Sequence, residues 1–123
     1  MGERPDVPDW MLDTLRAATA VLPECREERA WVGTRWRVGQ ATIAHLFGGE
    51  DGLFRITLRG DPDDVAAFSH LGPPYFKSDW GSNVIGMMLD EATDWGEVAE
   101  MVTISYCIQA PRHLADRVDL PTI

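Results

Sequence analysis

Apolar positions recur at helical spacing near the start of the chain, where Met11, Leu15, Ala18 and Leu22 follow Asp9 and Pro23 closes the run. This pattern predicts an amphipathic helix over about residues 9–22. From Glu24 to Gly60 the texture changes to short runs rich in Trp, Val, Ile, Thr and Phe. They are punctuated by Gly33-Thr34, Gly39-Gln40 and Gly48-Gly49-Glu50-Asp51-Gly52, which mark successive hairpins of an antiparallel meander. The clearest strand is Leu53 to Arg59, where Phe54, Ile56 and Leu58 alternate with Arg55, Thr57 and Arg59. A period of two puts the apolar groups on a core face and the cationic ones on a wet face. Arg35 and Arg37 flank Trp36 with the same alternation, so two such strands in one sheet would bring their arginines onto its open face.

Asp61-Pro62-Asp63-Asp64 is a helix start, with a capping Asp, Pro at the first helical position and carboxylates at the positive end of the helix dipole. A helix over about 62–70 follows, and Gly72-Pro73-Pro74 ends it in a loop running from Tyr75 to Ser82. Val84 to Leu89 reads as a buried strand. Thr93 is placed to cap a last helix from about Asp94 to Gln109, with Trp95, Val98, Val102 and Tyr106 inward and Pro111 ending it. The order is helix, four strands or so, helix, strand, helix. That order predicts an α+β fold, an antiparallel sheet of about five strands with helices packed on one face.

At 123 residues, 45% apolar and 25% charged, the chain has the makeup of one soluble globular domain, with its core expected over about 9–115. The formal charge of −9 repels nucleic acid and anionic membrane at long range. The charge is uneven: residues 1–60 carry 8 basic and 9 acidic side chains, and residues 61–123 carry 3 and 11. No stretch is apolar enough to span a bilayer, and Met1-Gly2-Glu3-Arg4-Pro5-Asp6 lacks the apolar core of a signal peptide, so a cytoplasmic location and no membrane partner are expected. Cys25 and Cys107 have no CxxC spacing and read as reduced, packed thiols.

Little in the chain points to catalysis. His45, His70 and His113 lie far apart without HxxxH context, and the acidic sets at 61–64 and 90–94 lack the interleaving of a calcium loop. No metal, cofactor or catalytic residue is therefore assigned. No GxSxG elbow occurs, and the 48–52 glycine run lacks the GK[ST] ending of a phosphate loop. Two features stand out. Arg26, Arg29, Arg35, Arg37, Arg55 and Arg59, interleaved with Trp31 and Trp36, suit a cationic face for phosphates or planar groups. The Pro73–Trp80 loop packs Tyr75, Phe76 and Trp80 beside Lys77, a composition suited to a ligand cleft.

The chain resembles the MmcQ/YjbR family of small bacterial proteins over about residues 9–115. The resemblance rests on Leu22-Pro23, Trp36-Arg37-Val38-Gly39, Leu58 followed by Asp61-Pro62, and Pro73-Pro74-Tyr75. It rests most on Asp94-Trp95-Gly96-Glu97-Val98-Ala99-Glu100, Ser105-Tyr106 and Ala110-Pro111-Arg112-His113-Leu114. It implies a frataxin-like (CyaY-like) two-layer sandwich and carries the family's provisional label of DNA binding. The chain departs from the family pattern in its acidity and in the single cation, Lys77, of the segment after the Pro-Tyr loop. The expected function is that of a non-enzymatic binding domain. DNA would meet Arg35, Arg37, Arg55 and Arg59. The alternative partner is a small planar or anionic ligand in a pocket of Trp31, Trp36, Tyr75, Phe76, Lys77 and Trp80.

Overall fold

The alternation read in residues 24–60 is realised as four consecutive antiparallel strands. A computed structural model describes residues 4–78 and 81–119. The elements are α1 (Asp9–Thr19), β1 (Arg26–Arg29), β2 (Thr34–Val38), β3 (Ala41–Gly48), β4 (Phe54–Arg59), α2 (Pro62–Leu71), β5 (Tyr75–Lys77), β6 (Val84–Leu89), α3 (Trp95–Gln109) and α4 (Arg112–Ala115). One antiparallel sheet of six strands, in the order β1-β2-β3-β4-β6-β5, carries the helices on a single face. The α+β class and the one-sided packing hold, with one strand more than the five expected.

The additional strand is β5, cut from the segment read as a loop. Its Phe76 pairs with Gly86 of β6, and a Cβ on Gly86 would fall inside the Phe76 ring. Glycine at 86 therefore lets the edge strand close down on its neighbour, a long-range condition that local composition does not reveal. Other local readings shift too. α1 stops at Thr19, after which Leu22 N–H bonds the Thr19 carbonyl and Cys25 N–H the Leu22 carbonyl. Asp61 holds the N-cap of α2 without a side-chain bond. The cap of α3 is Asp94, whose carboxylate accepts from the Glu97 N–H at 3.1 Å, while the Thr93 hydroxyl accepts from the Asp90 N–H in the preceding turn. Beyond Pro111 the chain forms the short α4, anchored by buried Leu114.

Register decides the two faces of the sheet. Trp36, Ala44, Leu58 and Ile85 lie in one cross-strand row, and Leu46, Ile56 and Met87 in another, all buried beneath the helices. Against them pack Met11 and Leu15 of α1, Val65 of α2, and Val98, Val102 and Tyr106 of α3. The Tyr106 hydroxyl donates to the Pro23 carbonyl at 2.5 Å, tying α3 to the chain between α1 and β1.

One hydroxyl joins the two layers. The β3–β4 ladder ends at Ala44–Leu58, and a bulge between β2 and β3 leaves Ile43 without a partner on β2. Fully buried Ser105 of α3 takes over. Its Oγ donates to the Ile43 carbonyl at 2.5 Å and accepts from the Arg59 N–H at 2.9 Å. Replacing Ser105 by Ala strands both backbone groups, so Ser105→Ala is expected to destabilise the protein by roughly 2–4 kcal/mol. Urea unfolding would read this as a lower midpoint at unchanged m-value, and an unchanged midpoint would contradict the bridging role.

Candidate functional site

The face of the sheet away from the helices is where the arginines meet. Cross-strand register places Arg26 opposite Arg37, Glu28 opposite Arg35, and Arg55 opposite Phe47, with Arg59 at the end of β4 on the same side. Arg35, Arg37, Arg55 and Arg59 thus share one surface with Arg26. Arg29 pairs with Thr34 and belongs to the opposite face.

Two carboxylates reach this surface. Glu28 is within 3.2 Å of Arg26, 3.2 Å of Arg35 and 3.4 Å of Arg37, and Asp51 lies 2.5 Å from Arg55. Although desolvation raises the Glu28 carboxyl, hydrogen bonds from Arg37 and Arg35 hold it below the usual carboxylate range. The Asp51 carboxyl is lowered first by the Leu53 N–H and then by Arg55. One carboxylate shared by three guanidiniums leaves most of their donors unspent. Among the described residues, the buried Nε–H groups of Arg35, Arg37 and Arg55 have no protein acceptor.

Between these arginines runs a polar row, Arg35 on β2, His45 on β3 and Thr57 on β4, continuing to Gly86 and the Phe76 laid over it. Imidazole Nε2 of His45 sits 2.5 Å from the Val32 carbonyl, and because a carbonyl only accepts, Nε2 carries the proton. The ring stacks on Phe47 at 4.7 Å. Burial lowers the His45 pKa, the Val32 carbonyl opposes, and the Arg35 charge lowers it further. Beside the row lies a concavity of about 360 Å³, lined by Trp31, Val32, Arg35, His45, Thr57 and Arg59 with Arg4 at its rim.

The aromatic and cationic residues grouped by composition do not converge. Trp36 is 1% exposed and belongs to the core, because the register that points Arg35 and Arg37 outward points it under the helices. Tyr75 faces the helix side, where its hydroxyl donates to Glu97 and its ring packs on Phe68 at 4.9 Å. Lys77 borders α2 beside Pro62 and His70, Phe76 lies on β5 at the far edge of the open face from Trp31, and Trp80 lies outside the described residues. The expected six-residue pocket is therefore not assembled. Composition gave no weight to His45, Thr57 or Arg4, whose only signal was the outward phase of His45 and Thr57 in their strands.

Both cysteines are free and half-buried, and burial pushes the Cys25 thiol up to about 11 and raises that of Cys107. Among the described residues no group of three or more His, Cys, Asp or Glu is placed to hold a metal ion, and no helix is long and apolar enough to cross a membrane.

The family model described as YjbR matches residues 20–108. This chain belongs to the YjbR family. The family match begins just after α1 and takes in the whole sheet with nearly all of α3. Among solved structures, the crystal structure of Deinococcus radiodurans protein DR2400, described with a DUF419 domain, is similar at a TM-score of 0.69. It covers 89% of this chain and 88% of its own at 18% identity, which speaks to the fold alone. No curated protein matches.

His45 makes a pH prediction. Its folded pKa lies below the unfolded value near 6.5, so the unfolded chain binds more protons. Stability is then fully present above pH 6.5 and is lost as pH falls through the lowered folded value. His70 and His113 are exposed, and the lowered Glu27, Glu28 and Asp51 protonate at still lower pH. Chemical denaturation between pH 7 and 5 should therefore show a decline that His45→Gln flattens. An identical slope in the variant would remove His45 as its source.

Proposed function

We propose that this YjbR domain is a cytoplasmic, non-enzymatic binding module whose open sheet face takes a phosphate-bearing polyanion, with DNA the candidate implied by the family. The fold would then be a variant of the frataxin-like sandwich, in which the helices close one face and leave the other for a partner. The observation that carries it is the segregation of charge. Arg26, Arg35, Arg37, Arg55 and Arg59 gather on one face against Glu28 and Asp51, on a chain whose formal charge is −9. Local potential and geometry, more than net charge, decide contact at the distance of a salt-screened surface. Unspent guanidinium donors are the groups that phosphate oxygens satisfy, in pairs and at fixed geometry. Two free thiols fit a reducing compartment.

Fluorescence anisotropy of labelled oligonucleotides, titrated from low to physiological salt, tests the reading. If about three of these arginines meet phosphates, the logarithm of the affinity should fall with the logarithm of salt at a slope of about −3. Arg35→Glu/Arg37→Glu should abolish binding, with melting temperature checked because the new carboxylates face Glu28. Arg35→Gln/Arg37→Gln, which adds no like charge, should weaken it and flatten the slope by about 2. Salt-independent binding, or none at low salt, would overturn the proposal.

A further inference from the structure

Trp31 is completely exposed, at 101% of its reference area, although it stands on a pinned hairpin tip. One contact closes that tip on itself and two hold it against β3. The Ala30 N–H bonds the Gly33 carbonyl at 3.0 Å, His45 donates to the Val32 carbonyl, and Gly33 has φ +72° with its Cα so near the Leu46 carbonyl that no Cβ would fit. A tip held this firmly keeps a large indole in water when burial would have stabilised it. Trp31 is among the residues bordering the 360 Å³ concavity, whose floor is the His45–Thr57 row and whose sides are Arg35 and Arg59. These two arginines stand on β2 and β4 with β3 between them, their backbones about 12 Å apart, two strand spacings across and two residues along. Arg35 has its buried Nε–H without a protein acceptor, and Arg59 spends one nitrogen on the Asn83 side chain at 3.2 Å. The β2–β3 bulge lies beside this concavity, where it sets Thr42 and Ile43 into the lining.

A planar group on Trp31 with an anion between two guanidiniums is the chemistry of one nucleotide. The volume falls within the range of small-ligand clefts and is far too small for a base-paired stack. In a duplex the bases are hidden in the stack, whereas an unpaired strand presents a base face to an exposed aromatic. We infer that the concavity beneath Trp31 is a pocket for one unstacked nucleotide, so that the open face prefers single-stranded to duplex nucleic acid. The inference rests on the reading of this face as a phosphate-binding surface and adds to it the form of the partner.

The test compares a mixed-sequence single strand, its blunt duplex and a nucleoside monophosphate, read by anisotropy and tryptophan quenching with the unmodified protein and with Trp31→Ala. Because Trp31 packs on nothing it would expose, the variant should fold normally, which its melting temperature checks. The expected result is single-strand binding at least about ten-fold tighter than duplex, with Trp31→Ala bringing the two level, the loss of one stacked base. Equal affinities, or a preference that survives Trp31→Ala, would overturn the pocket and leave the phosphate-binding face standing. Quenching by the monophosphate that Trp31→Ala removes, without binding of either oligonucleotide, would uphold the pocket and overturn the polymer reading. Binding of none of the three would overturn both.

Discussion

The hydroxyl of Ser105 is the point on which both layers of this protein depend. An α-helix packed on a sheet ordinarily contributes apolar area, and its contact with the strands is non-directional. Here the helix also completes the ladder. Where β3 and β4 cease to pair, Ser105 supplies an acceptor to the Arg59 N–H and a donor to the Ile43 carbonyl, and one turn later Gln109 donates to the Thr42 carbonyl at 3.1 Å. Backbone groups exposed by a bulge and buried under a helix are costly unless they find partners. Satisfying them from α3 allows β3 to keep its bulge, and the bulge in turn helps shape the lining of the concavity on the far face.

The same sheet separates charge. The outward phase of β1, β2 and β4 collects arginines, while the −9 balance of the chain is carried on loops, helix starts and the exposed sides of the helices. Glu28 is the hub of the open face, holding three guanidiniums in a geometry that none of them would keep through mutual repulsion. Partly exposed pairs of this kind stabilise little. Their effect is orientation: Arg26 and Arg37 are further tied by the Gly39 and Gln40 carbonyls, so the forks are arranged before a ligand arrives. Preorganisation of this sort lowers the ordering cost of binding. On the helix side Glu27 makes the corresponding contact with Arg16 at 2.8 Å, so one residue of phase in β1 decides whether a carboxylate serves the fold or the open face.

The five tryptophans show how far composition carries. Trp36 and Trp31 are five positions apart and chemically identical, yet one is in the core and the other stands in solvent. Trp10 and Trp95 meet edge to face at 5.3 Å between α1 and α3, a packing contact. The Tyr75-Phe76 pair divides between the two faces of the sheet because adjacent strand residues must, and what reads as one aromatic cluster along the chain becomes two unrelated contacts.

Local pattern determined most of the elements, the α+β class and the outward phase of Arg35 and Arg37 in β2 and of Arg55 and Arg59 in β4, while their meeting on one face waited on the pairing of those strands through β3. Elements and phase follow from periods of two and 3.6 that any short window of residues displays. The resemblance in the closing helix likewise pointed to the family that the match over residues 20–108 establishes. Tertiary structure alone decided that a sixth strand closes over Gly86, that Ser105 bridges two strands, and that Trp31 rather than Trp36 borders a concavity with His45, Thr57 and Arg59. Each depends on contact between segments 10 to 62 residues apart. A bulge or a missing Cβ alters such contact without leaving a periodic mark on the chain, because its cause is the approach of a distant backbone.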